Sequence, residues 1–154
     1  MRNLKMVILI EALIIFNPCY SQDSHQKRQE VIMDFLNYIK EPSWKFDTLV
    51  KKYLLFRKDE SPKFSKNDRK MIISFAVAYL STEVQNTKFK ELIIKPYLET
   101  DSSMQKMFIR RETKEAAYIV YNKDKSFLRY FLMDKDKIVS FVTLKQGRAF
   151  VLLN

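Results

Sequence analysis

The chain has 154 residues, 47% of them hydrophobic, which is enough for one domain with a packed core. General disorder is excluded, because so apolar a chain can offset the entropy of ordering by burial. The net charge of +10 at pH 7 either attracts polyanions, such as anionic glycans, lipid headgroups or an acidic partner, or simply keeps the domain soluble. Nucleic acid is not expected as a partner, since no basic run is interleaved with aromatic residues as in a single-strand platform.

The start of the chain is typical of a secretory leader. A short positive segment precedes an apolar run over residues 6–16, and small residues follow up to Ser21. The sequence therefore predicts a signal peptide over residues 1–21 and a single domain over residues 22–154. We expect this domain to be exported from a bacterial cell, to the periplasm or the extracellular medium.

Two alternatives stay open for this segment. A membrane-spanning helix needs about 20 apolar residues, more than this run offers, but an uncleaved anchor or a lipoprotein acylated at Cys19 is one alternative. Glu11 within the run favours the other, an ordinary segment of a core. If the leader is removed, Cys19 is lost with it, and it is the only cysteine. The mature domain would then have neither a disulfide nor a thiol for catalysis or metal binding.

Two helices are predicted at the start of the domain. Apolar residues repeat on a 3.6-residue period over residues 24–40, which indicates an amphipathic helix. Asp23 or Ser24 is suited to cap its first amides, and Pro42 ends it. A second helix is expected to open at Ser43.

Two further helices are predicted before the first strand. The third is capped by Ser65 or Asn67, and its centre over residues 71–80 is apolar nearly all round. Such a helix is expected to be buried on every side, as the central element of the helical half. A fourth helix is expected over residues 82–94, with Pro96 after its end.

From about Met104 onward the apolar period changes from 3.6 to two, which indicates strands. Predicted strands cover residues 107–111, 116–121, 127–133, 138–144 and 148–153. Their short polar linkers are typical of consecutive hairpins, and Gly147 suits the positive φ of a three-residue hairpin loop. The predicted fold class is α+β, with three to four N-terminal helices packed on a C-terminal four- to five-stranded antiparallel meander.

Two-residue turns would place Asn122 opposite Lys125 and Asp134 opposite Lys137. Both faces of the resulting sheet are apolar, so the helices cover one face and something else covers the other. The candidates are a curl of the sheet itself, a bound ligand, or a second copy of the chain in a homodimer through the apolar sheet face.

This order of helices and meander resembles the cystatin-like and nuclear-transport-factor-like layouts. The resemblance is one of arrangement and implies a bent sheet that wraps a helix. Such folds serve binding modules and enzymes alike, so the layout does not decide the function.

Several chemistries lack the residues they need. One glycine excludes a Gly-rich phosphate loop, and one histidine excludes a two-His metal site, so no catalytic residue, metal or cofactor is predicted. His25 is interpreted as an incidental surface residue on a frayed start. The closest carboxylate pairs, Glu112 with Glu115 and Asp134 with Asp136, are interpreted as solvated residues among lysines.

Arg129 interrupts the apolar pattern of a strand. A charge on an apolar sheet face is costly unless paired, which marks a candidate ligand pocket formed by Arg129, Tyr118 opposite it, and Ser140. Alternatively the stem of Arg129 packs while its head reaches water. The pocket hypothesis predicts that Arg129→Ala abolishes ligand capture with little loss of stability.

A basic cluster is formed by Lys106, Arg110, Arg111 and Lys114. It is interpreted either as a surface for a polyanion or as an edge strand protected by charge.

The first functional hypothesis is an exported, non-catalytic binding or interaction module of the cell envelope. The alternatives are a small enzyme that uses Tyr, Lys or carboxylates in a cone-shaped pocket, and a basic envelope-associated structural protein.

Overall fold

The structure is a computed structural model that describes residues 17–56, 65–105, 111–144 and 149–151. The described helices precede a four-stranded antiparallel sheet, so the α+β class and the order of helices before strands are confirmed. No helix among these residues has the length and apolar character that crossing a membrane requires.

The described elements run from helices to strands along the chain. The helices are α1 (Asn17–Lys40), α2 (Phe46–Lys52) and α3 (Lys66–Gln85), and short 3₁₀ turns occur at Phe89–Glu91, Tyr97–Glu99 and Arg111–Ala116. The strands are β1 (Ile93–Pro96), β2 (Ala117–Tyr121), β3 (Leu128–Asp134), β4 (Lys137–Ser140), β5 (Val142–Leu144) and β6 (Ala149–Val151). Strands β1 to β4 form one sheet in sequence order, and β5 pairs with β6 in a separate two-stranded sheet.

Helix α1 forms because an apolar stripe repeats along it, and the stripe is fully buried. Its buried residues are Ile32, Phe35, Leu36 and Ile39. The helix begins at Asn17 rather than near residue 24, so the prediction that Asp23 or Ser24 caps it is wrong. Both residues lie inside the helix, where the backbone N–H groups have partners one turn earlier. The predicted cleavage point after Ser21 also falls within α1, and the processing of the leader stays a prediction.

Helix α2 begins at Phe46, three residues after the predicted start at Ser43. The chain leaves it along the outer edge of β4. There the N–H of Leu55 donates to the carbonyl of Ile138 at 2.9 Å, and the N–H of Ile138 donates to the carbonyl of Tyr53 at 2.8 Å. These hydrogen bonds make a parallel bridge, so residues 53–55 cover the edge of the sheet.

Helix α3 starts at the predicted cap. The N–H of Asp68 donates to Ser65 Oγ at 3.1 Å, and the N–H of Ser65 donates to Asp68 Oδ2 at 2.9 Å. This reciprocal capping box satisfies two otherwise unpaired amides, which confirms Ser65 rather than Asn67 as the cap.

The prediction that α3 is buried on every side is wrong. Its inner face packs on α1, where Ser81 Oγ donates to the carbonyl of Ile39 at 2.6 Å. Its outer face carries four exposed large apolar residues, Met71, Ile72, Phe75 and Tyr79. An all-round apolar sequence requires neighbours on all sides to be buried, and in the described chain α3 lies on the outside of α1.

The predicted fourth helix is also wrong. Residues 82–85 extend α3, and β1 occupies Ile93–Pro96. Strand β1 pairs antiparallel with β2, and Pro96 is accommodated because β1 is an edge strand. Tertiary pairing of two β-branched residues, Ile93 and Ile94, overrides the helical pattern. The predicted strand over residues 107–111 and the hairpin glycine, Gly147, lie outside the described residues, apart from Arg111, which begins a 3₁₀ turn.

One of the two predicted turns has the expected register. Asp134 pairs with Lys137 as predicted, but Val120, not Tyr118, lies opposite Arg129. The first turn is longer because the side chain of Asn122 closes it, with its Oδ1 accepting from the N–H of Phe127 at 3.0 Å. The slip is two residues, so it leaves each side chain of β2 and β3 on its predicted face.

A bulge interrupts the last predicted long strand. Leu132 pairs with Ser140 whereas Met133 pairs with Ile138, so β4 carries one extra residue. The extra residue turns Phe141 to the same side as Ile138, although strict alternation predicts opposite sides. The predicted strand over 138–144 is therefore divided between two sheets.

The sheet separates two apolar clusters. The larger lies between the sheet and the helices and includes Phe35, Phe131 and Phe141. On the other face, Tyr97 and Met104 cover a set of strand residues, namely Ala117, Ile119, Tyr130, Leu132 and Val139. The second apolar face, which we considered for a ligand or a second copy, is thus covered by residues of this same chain.

Candidate functional site: a polar cleft at the start of α1

Arg129 joins the sheet to a helix. Its Nε donates to Glu83 Oε2 at 2.9 Å, Nη2 contacts the other carboxylate oxygen, and Nη1 donates to the carbonyl of Leu128 at 2.7 Å. The two side chains are 32% and 25% exposed, and the guanidinium also lies 5.7 Å from the centre of the Phe127 ring. A bidentate ion pair between β3 and α3 accounts for this charge on the sheet face.

The other two predicted ligand-binding residues do not share a pocket with Arg129. Tyr118 and Ser140 are both fully buried. The Oγ of Ser140 is 3.3 Å from the carbonyl of Val142, at the end of its own strand. The hydroxyl of Tyr118 points instead toward the first turns of α1, where it meets His25.

A cleft of about 470 Å³ opens beside this pair. Three segments line it: α1, the end of β1 with the 3₁₀ turn after it, and the 3₁₀ turn before β2. The lining residues are Ser24, His25, Arg28, Pro96, Leu98, Glu99, Lys114 and Glu115. We call this the His25 cleft.

His25 is fixed in place rather than frayed. Its Nδ1 lies 2.7 Å from the hydroxyl of Tyr118, with the two ring centres 5.9 Å apart. The interpretation of His25 as an incidental surface residue is therefore wrong. It lies within α1 and is half-buried because that helix places it against Tyr118. Its spacing of seven residues from Ile32 places it on the buried stripe of α1, a signal that the sequence contained.

Arg28 completes a short chain of polar groups. Its Nε donates to the carbonyl of Lys135 at 3.1 Å. Burial raises the pKa of Tyr118, while a hydrogen bond from Arg28 and its charge act in the opposite direction without cancelling the effect. The phenol therefore stays protonated at neutral pH.

The cleft carries charges of both signs. Arg28 and Lys114 supply cations, and Glu99 and Glu115 supply carboxylates. Lys114 is the member of the predicted basic cluster whose side chain the structure describes. Lys106 and Arg110 lie outside the described residues, and Arg111 begins the 3₁₀ turn that carries Lys114. The combination of cations and carboxylates in the His25 cleft suits a polar ligand that carries both charges.

Among the side chains that the structure describes, no three His, Cys, Asp or Glu residues converge as a metal site would require. Comparison with known proteins gave no match to a protein family, a curated protein or a solved structure. The chain is thus assigned by its own geometry, as an α+β domain with a polar cleft.

Proposed function

We propose that this chain is an exported small bacterial protein whose domain binds a small polar ligand in the His25 cleft, without catalysis. The ligand class is a molecule that carries both an anionic and a cationic group, as a free amino acid does. One observation carries the proposal: Arg28 and Lys114 share the cleft with Glu99 and Glu115, beside a histidine that Tyr118 fixes. Opposite charges that line one cleft select for the orientation of a ligand as well as for its charge.

Binding is favoured over catalysis by the state of Tyr118. A catalytic base needs a pKa near the working pH, and burial moves the pKa of this phenol away from it. The hydroxyl is also occupied, since it lies 2.7 Å from His25 Nδ1. The group thus positions His25 and does not accept a proton from a substrate.

Export agrees with where the cleft lies in the chain. Its lining residues begin at Ser24, three residues after the proposed cleavage at Ser21, so the chain without the leader still contains all of them. The domain then comprises residues 22–154, with the leader over residues 1–21.

The layout that we propose is cystatin-like or nuclear-transport-factor-like, with the sheet bent around α1. The close packing of Phe35 of α1 against Phe131 and Phe141 supports it, with ring centres 6.2 and 5.5 Å apart. A helix held this closely along the sheet places its first turns, and therefore His25, at the sheet margin where the cleft opens.

Calorimetric titration with free lysine and free glutamate tests the binding proposal, with acetate and ethylamine as probes of a single charge. We expect an amino acid to bind and the single-charge probes to bind far more weakly. Arg28→Gln should weaken binding by about ten-fold or more, because a charge-assisted hydrogen bond contributes roughly 1.5–3 kcal/mol.

Lys95→Gln is the matched control, since Lys95 is an exposed cation of β1 that does not line the cleft. It should leave the affinity unchanged. Equal affinity of the Arg28→Gln variant and the unmodified protein, or heat release with none of the probes, would contradict the proposal.

A further inference from the structure

A second cleft, of about 380 Å³, lies where α2 and the residues after it meet the start of α3. Its apolar lining residues are Phe46, Val50 and Phe56, and its cations are Lys51, Lys66 and Lys70. We call this the α2–α3 cleft. We propose that it binds a free anionic amphiphile, a carboxylate carried on a short hydrocarbon chain, independently of the His25 cleft.

The apolar lining is continuous with the core. The rings of Phe46 and Phe56 meet edge to face, with their centres 5.8 Å apart and their planes at 88°. Both side chains are partly buried and pack against the larger apolar cluster, which fixes their position. A hydrocarbon chain that covers the rest of these rings removes apolar surface of both partners from water, so its affinity should rise with its length.

The charged lining has one predominant sign. Among the described residues that line the cleft, the three lysines are accompanied by one carboxylate, that of Asp47. In the His25 cleft, by contrast, Arg28 and Lys114 are matched by Glu99 and Glu115. The α2–α3 cleft therefore favours an anion, whereas the His25 cleft favours a ligand with both charges.

The positive charge lies directly beside the apolar rings. The Nζ of Lys70 is 5.1 Å from the centre of the Phe46 ring. Lys66 is the first residue of α3, where the helix dipole adds positive potential. The carboxylate of Asp68, in the same turn, bonds Ser65 at 2.7 and 2.9 Å and does not line the cleft. A carboxylate that binds Lys70 thus has its hydrocarbon chain next to Phe46.

The size of the cleft suits one small molecule. Its volume of about 380 Å³ falls in the lower part of the range for small-molecule pockets, about 300–1,000 Å³. A short-chain carboxylate such as octanoate combines this size with one negative charge and an apolar body.

Calorimetric titration with octanoate tests the proposal. Butyrate and octylammonium are the comparison probes, because the first lacks the chain length and the second lacks the negative charge. We expect octanoate to bind at least about ten-fold more tightly than either. Equal affinity for octanoate and octylammonium would overturn the proposal, as would the absence of octanoate binding.

Substitutions in the lining locate the bound octanoate. Lys70→Gln should weaken octanoate binding by about ten-fold, and Lys70→Arg should retain it. Asp47→Asn should strengthen binding, because it removes a carboxylate from the lining. The matched control is Lys52→Gln, since Lys52 is an exposed lysine of α2 that does not line the cleft, and it should leave the affinity unchanged. Equal affinity of the Lys70→Gln variant and the unmodified protein would overturn the proposal.

Two further titrations distinguish this site from other sources of binding. Arg28→Gln, in the His25 cleft, should bind octanoate as the unmodified protein does, so the two binding proposals can fail separately. Loss of octanoate binding in that variant would overturn the present one. Phosphatidylglycerol vesicles present an anion and hydrocarbon chains in a membrane. Binding to these vesicles without binding of free octanoate would also overturn the proposal and assign the cleft to a lipid surface.

Discussion

Arg129 places a charge on the inner side of β3, and Glu83 of α3 meets it with both carboxylate oxygens. The sequence pattern singles out Arg129 as a charge among apolar residues. Its partner, Glu83, lies 46 positions away, and no local pattern relates the two residues. The ion pair changes what a substitution at this position does. The earlier expectation of little stability loss for Arg129→Ala assumed a ligand as the partner.

We now expect Arg129→Ala to lower the free energy of unfolding by roughly 1–3 kcal/mol, because it leaves the Glu83 carboxylate half-buried without its partner. Urea unfolding of the two single variants, Arg129→Ala and Glu83→Gln, and of the double variant measures the coupling. The double variant should be less destabilised than the sum of the single ones. Strict additivity would show that the pair contributes nothing.

Tyr118 links the cleft to the core through one oxygen atom. Tyr118→Phe keeps the ring and removes the hydroxyl that meets His25 at 2.7 Å. We expect a loss of about 1 kcal/mol of stability and weaker binding in the His25 cleft, since the imidazole is no longer held. Tyr130→Phe is the matched control, because its hydroxyl donates to the carbonyl of Met104, on the other face of the sheet. That variant should lose stability but keep its affinity, and a similar loss of affinity in both would contradict a positioning role for Tyr118.

At the scale of elements, local patterns predicted α1 and offered Ser65 as one of two caps of α3, because periodicity and caps are properties of neighbouring residues. They failed over residues 82–94, where pairing with β2 draws a helix-compatible segment into a strand. They also failed at Phe141, because a bulge depends on how two strands fit and leaves no signal in either strand alone.

The capping box makes α3 sensitive to acid. The side-chain and backbone hydrogen bonds of Ser65 lower the pKa of Asp68 below its ordinary value. A carboxyl with a lowered folded-state pKa stabilises the fold above its unfolded value, and that contribution is lost as the pH falls through the folded value.

Asp68→Asn should therefore destabilise the protein at pH 7 and have a smaller effect as the solution becomes more acidic than the ordinary pKa of 3.8. Thermal unfolding of the variant and the unmodified protein across this pH range measures the difference. Asp101→Asn, at an exposed position outside any helix cap, is the control. A difference between variant and unmodified protein that stays constant with pH would contradict the assignment.

At the scale of the molecule, composition and order of elements predicted the α+β class, and the apolar second face of the sheet correctly required a cover. The cover itself, Tyr97 and Met104, was not predicted, since residues 97–105 have neither helical nor strand periodicity.

The candidate site was predicted least. The sequence pattern singles out Tyr118 and Lys114 for other reasons, and it does not indicate His25, because the contact between His25 and Tyr118 spans 93 residues.

Both edges of the four-stranded sheet are closed to a further strand. Residues 53–55 occupy the hydrogen-bonding groups of Ile138 along β4, and on β1 the side chain of Gln29 donates to the carbonyl of Ile94 beside a proline that has no N–H to offer. Fibril growth by adding one backbone to another therefore finds no template on this sheet. Backbone pairing of two copies through this sheet would first have to displace Gln29 from β1 or residues 53–55 from β4.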